Sequence, residues 1–186
     1  DVGPLWRDPQ VRAFLRWVAY AVVAVTAWRV WQVGGPVEPV FCDALFNLVS
    51  IMTGTGFFSG SFAGWGGFML VVAFALGVIG ACSGSSAAGL SVFRVQVALA
   101  VLRRQMRQIM QPSAVDPVKY AGRTVEEDVI LALVMFISSF ILILGAFSVV
   151  LTLLGVDTES ALFAIWTTLG NVGFGFGPMV LRTGTF

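Results

Sequence analysis

Three long apolar stretches run along the chain, from about Ala13 to Val33, from Phe62 to about Ile79 and from Val129 to Leu154. A helix needs ~20 predominantly apolar residues to cross a bilayer, with a tolerance of ~17–25, so each stretch predicts a membrane-spanning helix. The first carries Arg16 and Arg29 near its ends, where long side chains snorkel towards headgroups, and Trp17, Trp28 and Trp31 supply interfacial aromatics. The third contains no charge. Two shorter stretches, Val40 to Met52 and Ser160 to Leu169, cannot cross, and each runs into a glycine-rich segment in the manner of a re-entrant half-helix. Non-helical backbone at membrane depth persists only where protein or a water-filled cavity surrounds it, so these ends point to a pathway. The bland alternative is a pair of interfacial helices with loose turns. Leu90 to Met110 reads as an amphipathic helix with Arg103, Arg104 and Arg107 at its far end, closed by Gln111-Pro112.

Composition agrees with that pattern. Of 186 residues, 58% are hydrophobic and 11% charged, whereas soluble domains carry about 25% charged residues; too few charges remain to coat a water-soluble surface. The chain therefore reads as a membrane protein. Histidine is absent, which removes Ser/His and Cys/His nucleophile pairs and histidine-based zinc motifs. Cys42 and Cys82 are far apart in sequence and read as small buried hydrophobes. The chain opens on Asp1 with no secretory leader pattern, and it reads as a fragment.

The net charge of +1 hides an asymmetry. Arg7 and Arg12 precede the first span and Arg16 sits at its start, and Arg94, Arg103, Arg104, Arg107, Lys119 and Arg123 lie between the second and third. By the positive-inside rule both segments, and hence the N-terminal end, are expected in the cytoplasm. Glu38, Asp43, Asp157 and Glu159 then sit at two outer entrances, either raising local cation concentration or simply keeping loops soluble.

An offset of 117 residues, the difference between positions 44 and 161, aligns Ala44-Leu45-Phe46 with Ala161-Leu162-Phe163, Gly56-Phe57 with Gly173-Phe174, and Gly60 with Gly177. It also carries the first span onto the third. Repetition at one register across a helix, a half-helix and a glycine turn defines a unit of helix, pore-type loop and helix. By the same offset a closing helix of the second unit is expected to begin near residue 180.

A desolvated cation needs oxygens in place of its hydration shell, and backbone carbonyls supply them without the desolvation cost of buried carboxylates. Glycine permits the unusual dihedrals and close approach that such a site needs. Thr53-Gly54-Thr55-Gly56-Phe57 follows a half-helix whose partially negative C-terminal end favours a cation, and Gly170-Asn171-Val172-Gly173-Phe174 repeats the arrangement. Transmembrane packing glycines are the alternative reading of either run alone. Gly80 to Gly89, with Cys82, Ser83, Gly84, Ser85 and Ser86 inside it, interrupts an otherwise helical pattern. It reads as a constriction lining a cavity, or as a plain linker at the interface. Arg94 lies close enough to reach pore-facing oxygens or acidic groups, unless it snorkels. The Arg103, Arg104 and Arg107 cluster suits anionic lipid or a cytosolic regulator.

Phe46-Asn47-Leu48-Val49-Ser50 leading into Thr53 to Phe57, then Gly80 to Gly89 with Val92-Phe93-Arg94, then Pro112-Ser113-Ala114-Val115 and Gly122-Arg123, and finally Thr168-Leu169-Gly170-Asn171-Val172-Gly173, resemble the TrkH/KtrB family of bacterial potassium uptake proteins. The resemblance covers nearly the whole chain. It implies an all-α membrane protein of tandem helix/pore-loop/helix repeats, a potassium-channel-like pore in which four non-identical repeats surround one potassium pathway. Residues 1–110 would be the third repeat, 111–127 a cytoplasmic connection and 128–186 most of the fourth.

It further implies one filter glycine per loop, Gly56 and Gly173, with carbonyls of Thr53, Gly54, Thr55, Gly170, Asn171 and Val172 facing the ion. Gly80 to Gly89 would be an intramembrane gating loop, and Arg94, Arg103, Arg104 and Arg107 gate or regulator contacts. Expected partners are the lipid bilayer of the bacterial inner membrane, a second copy in a homodimer, and a cytosolic nucleotide-binding subunit resembling TrkA or KtrA, with no nucleic acid. Potassium is the only metal expected, at the filter, with no catalytic residue and no covalent cofactor. Two rivals remain. A tandem two-pore-loop potassium channel lacks its expected T-x-G-Y-G signature here, and an intramembrane enzyme with Ser83, Ser85 or Ser86 as nucleophile lacks histidine and any lysine within a span.

Overall fold

The computed structural model describes residues 8–59, 62–85, 87–111, 118–120 and 123–173, which form six α-helices and one small hairpin. Helix α1 (Pro9–Val33) starts where the Asp8 carboxylate accepts from the Gln10 N–H at 2.7 Å and Pro9 supplies a pre-set first turn, and it stops at Gly34, whose φ is 68°. After Gly34-Gly35-Pro36 the chain re-enters as α2 (Val37–Thr53), ended by Gly54 in the left-handed region. Helix α5 (Glu127–Leu153) and α6 (Thr158–Leu169) repeat this helix and half-helix pair, with Asp157 capping α6 by accepting from the Ser160 N–H at 3.2 Å. Among the described residues two helices, α1 and α5, are long and apolar enough to cross a membrane.

The second expected span differs from a continuous helix over 62–79. Phe62–Trp65 forms a single 3₁₀ turn, and α3 begins only at Gly67, because Gly66 takes a φ of 97° that no helix continues through. The thirteen residues of α3 (Gly67–Ile79) span about 20 Å at ~1.5 Å per residue, short of a ~30 Å hydrocarbon core. Beyond the small-residue run, α4 (Val92–Met110) starts two residues later than the pattern predicts. An antiparallel hairpin pairs β1 (Lys119–Tyr120) with β2 (Arg123–Thr124), tied further by the Val125 N–H donating to the Val118 carbonyl at 2.8 Å.

The core gathers on the two half-helices. Val18, Val22 and Val25 of α1, Leu48, Ile51 and Met52 of α2, and Met69, Ala73 and Leu76 of α3 join Phe163 and Trp166 of α6 in one buried cluster. Helix α1 packs along α2, α5 along α6, and α3 bridges α2 and α6. Gly77 makes that bridge possible: a Cβ there would collide with the Trp166 indole. The Trp166 ring sits among Phe74 at 5.3 Å and Phe163 at 5.5 Å. Helix α5, by contrast, buries only Leu133 of its own residues and presents apolar side chains almost all round, the surface of a helix whose solvent is lipid or further protein.

Candidate pore site

Backbone hydrogen bonds define the first glycine turn. The Gly54 N–H donates to the Ile51 carbonyl at 3.2 Å and the Thr55 N–H to the Ser50 carbonyl at 3.0 Å, while Gly54 and Gly56 adopt φ of 72° and 74°. These left-handed steps favour glycine, since a Cβ costs roughly 1–2 kcal/mol there. Side chains hold the turn from behind. The Ser50 and Thr55 hydroxyls bond each other at 2.9 Å, and the Thr53 hydroxyl donates to the Val49 carbonyl at 2.7 Å. The threonine hydroxyls thus tie the turn to α2.

The second turn has the same wiring at the same offset. The Asn171 N–H donates to the Thr168 carbonyl at 3.2 Å, as Gly54 does to Ile51, and the Val172 N–H donates to the Thr167 carbonyl at 2.9 Å, as Thr55 does to Ser50. Asn171 stands in for Gly54 with a φ of 51°, and Gly173 matches Gly56 at 74°. Asparagine is among the few non-glycine residues that take this conformation at tolerable cost.

The two turns lie side by side. The Val172 carbonyl oxygen occupies the space a Cβ on Gly56 would need, and the Gly173 carbonyl carbon is 3.5 Å from that same point. A Cβ on Gly54 would sit 3.0 Å from the Ala87 Cβ and 3.2 Å from the Asn171 carbonyl oxygen. Thr53, Gly54, Thr55, Gly56, Gly170, Asn171, Val172 and Gly173 are therefore brought together, with the C-terminal ends of α2 and α6 meeting at one place. The partial negative charge of both helix ends converges there.

Gly80 to Gly89 forms a pinched loop between α3 and α4. A Cβ on Gly80 would lie 3.2 Å from the Gly89 Cα, and the neck is stitched by the Leu90 N–H donating to the Val78 carbonyl at 2.8 Å and the Val92 N–H to the Ala81 carbonyl at 3.0 Å. The loop rests on the second turn, because the Ala88 N–H donates to the Gly170 carbonyl at 3.0 Å. That carbonyl keeps a second lone pair. On the other side the Ser83 N–H donates to the Gln10 Oε1 at 3.1 Å and the Ser83 hydroxyl to Ser91 at 3.3 Å, and Ser91 itself takes a φ of 65° where the loop enters α4. Cys82 is half-buried, Gly84 and Ser85 are exposed, and Ser86 lies outside the described residues. Cys42 departs from the sequence expectation: it is exposed on α2, beside Phe46, instead of buried.

The basic candidates divide. Arg94 stacks its guanidinium 4.0 Å from the Phe136 ring centroid of α5, beneath the Gly/Ser loop. Arg103 and Arg107 are exposed near the end of α4, while Arg104 is half-buried and lines a cleft with Glu127 and Asp128. The hairpin docks on the opposite end of α4: the Tyr120 hydroxyl donates to the Gln96 Oε1 at 2.9 Å and its ring meets Phe93 edge-on at 4.9 Å. Burial, helped by the Asp8 carboxylate and Cys82, raises the Tyr120 hydroxyl above its ordinary pKa and keeps it a donor.

Sequence reasoning missed one part of the site. Asp43, Asn47 and Ser50 occur at i, i+4 and i+7 on α2, a polar stripe along a largely apolar half-helix, and this spacing is the signal that marks it. Of the sequence motifs, Phe174, Gly60, Gly177, Pro112 to Val115, Gly122, Arg7 and the helix expected near residue 180 lie outside the described residues.

With this geometry in place, comparison with known proteins is informative. The TrkH family profile, described as cation transport protein, matches residues 4–185. The Trk system potassium uptake protein TrkI of Halomonas elongata is 36% identical over 182 residues, covering 98% of this chain and 37% of that protein. TrkH of Escherichia coli K12, described in the same terms, is 30% identical, covering 92% of this chain and 36% of its own length. The crystal structure of the potassium transporter TrkH from Vibrio parahaemolyticus superposes with a TM-score of 0.84 at 30% identity, over 93% of this chain and 37% of that one. The chain thus spans little more than a third of the relatives it matches, and those relatives are described as potassium uptake proteins and not as enzymes. An all-α membrane chain with two equivalent helix, half-helix and glycine-turn units, matched almost end to end, belongs to the TrkH family of cation transport proteins.

Proposed function

We propose that this chain forms part of a potassium uptake pathway across the bacterial inner membrane, with the two glycine turns as two walls of its selectivity filter. The observation that carries this reading is the pair of identically wired turns, 117 residues apart, lying against each other at the C-terminal ends of two half-helices. Carbonyls of Thr53 to Gly56 and Gly170 to Gly173 replace the ion's water, and the helix ends favour its charge. Sodium and potassium carry the same charge, so discrimination rests on the number and spacing of these oxygens.

The Gly80–Gly89 loop acts as the gate, since it is anchored by its neck and touches the second turn through the Ala88–Gly170 hydrogen bond. An apolar groove of about 610 Å³ beside the first turn, lined by Leu45, Phe46, Val49 and Phe57 among others, faces a neighbouring repeat in a four-repeat pore. The N-terminal end and the α4–α5 connection face the cytoplasm. There the exposed Arg103 and Arg107 meet a nucleotide-binding regulatory subunit, and the full-length protein works as a homodimer.

The test is uptake by the full-length transporter in potassium-uptake-deficient bacteria. Potassium-dependent rescue, with relative potassium-to-sodium uptake altered by Gly56→Ser, supports the assignment. Rescue with unchanged relative uptake in Gly56→Ser removes the filter from these turns.

A further inference from the structure

Asn47 is completely buried in α2, yet it is well satisfied: its Nδ2 donates to the Asp43 carbonyl at 2.7 Å and to the Ser59 Oγ at 2.9 Å, and its Oδ1 accepts from the Ser59 N–H at 3.0 Å. The Ser59 hydroxyl passes the chain on, donating to the Asp43 Oδ1 at 3.1 Å. Ser59 lies three residues beyond Gly56, so this network grips the outer limb of the first turn and fastens it to the half-helix. The inner limb is fastened separately by Ser50. At the 117-residue offset, Asp43 and Asn47 correspond to Ser160 and Ala164, and an alanine has no amide with which to make this tie; the second turn carries the Ala88 N–H on its Gly170 carbonyl in addition to its bonds to α6.

We infer that Asn47, acting through Ser59, is a positioning residue for ion selectivity: it fixes the spacing of the first turn's carbonyls. The inference rests on the filter reading above. Its physical basis is that a buried amide with three short bonds allows little displacement of the segment it holds, and that losing the amide leaves the Ser59 N–H without its acceptor and the Ser59 Oγ without the donor it accepts from. A carbonyl cage discriminates ions by small differences in oxygen spacing, so loosening one limb erodes selectivity before it erodes throughput.

The test compares variants of the full-length transporter by competitive potassium and sodium uptake, each checked for expression and monodispersity. Asn47→Ala lowers potassium-over-sodium preference by about tenfold and raises the potassium KM with maximal rate little changed, and Ser59→Ala lowers it by about threefold, on the scale of the lost hydrogen bonds. Ser59→Thr, which keeps the hydroxyl, retains the parental preference. The double variant Asn47→Ala/Ser59→Ala is no worse than Asn47→Ala alone, because both act through one tie. Unchanged preference in well-folded Asn47→Ala, additive losses in the double variant, or a fall in maximal rate with preference intact would each overturn the assignment. If Gly56→Ser also leaves preference unchanged, the filter reading fails as well; if Gly56→Ser alters it and Asn47→Ala does not, only the positioning role is lost.

Discussion

At Gly56 two constraints coincide: a φ of 74° and a neighbouring Val172 carbonyl in the space of any Cβ. A residue such as serine meets dihedral strain of ~1–3 kcal/mol and in addition pushes the facing turn away. One substitution therefore disturbs both walls. Gly56→Ser in the full-length transporter is expected to reduce potassium preference by roughly tenfold, a ~1.4 kcal/mol effect at the ion, measured as competitive uptake of the two ions. Gly56 and Gly173 were legible in sequence because glycine spacing repeats at one offset. The polar spacing of Asp43, Asn47 and Ser50 marks a face of α2, but the partner of Asn47 is Ser59, twelve residues on, which a linear pattern does not place beside it. The Cys42 expectation failed for a related reason: cysteine composition says nothing of which face of α2 is covered, and this face is open.

Among the elements, α3 and α6 meet closely at Gly77. Gly77→Ala drives a methyl into the Trp166 indole and is expected to destabilise the full-length protein by about 1–3 kcal/mol, the usual cost of overpacking. Thermal unfolding of the purified transporter measures it. Since the crowded atoms belong to the six-membered ring of the indole, Trp166→Phe in the Gly77→Ala background recovers part of the loss, a coupling that independent sites would not show.

The Gly80–Gly89 loop has the opposite character. Its ends already touch, so residues between them can be removed without pulling on α3 or α4. Deletion within Gly80 to Gly89 is expected to raise basal potassium flux severalfold in proteoliposomes, and unaltered flux and gating would count against a gate. Long apolar periodicity made α1, α5 and both half-helices readable, as it fixes length and type together. The short α3 was misjudged because hydropathy is blind to the Gly66 dihedral, and the 118–125 hairpin was invisible because two-residue strands carry no alternation.

Over the whole molecule, the design is a doubled unit whose half-helices point their C-terminal ends at one place. The buried cluster centres on α2, α3 and α6, whereas α5 and the groove beside Phe57 stay uncovered. That architecture was legible from the 117-residue offset alone, since a shared register across three kinds of element constrains packing more strongly than any one motif. How the turns touch was not, because the Gly56–Val172 approach joins residues far apart in the chain that no local pattern pairs. The most direct measurement is anomalous scattering from rubidium in crystals of the full-length transporter. The expected result is density within coordinating distance of the carbonyls of Thr53 to Gly56 and Gly170 to Gly173; ordered rubidium elsewhere along the protein, with none at these turns, would contradict the account.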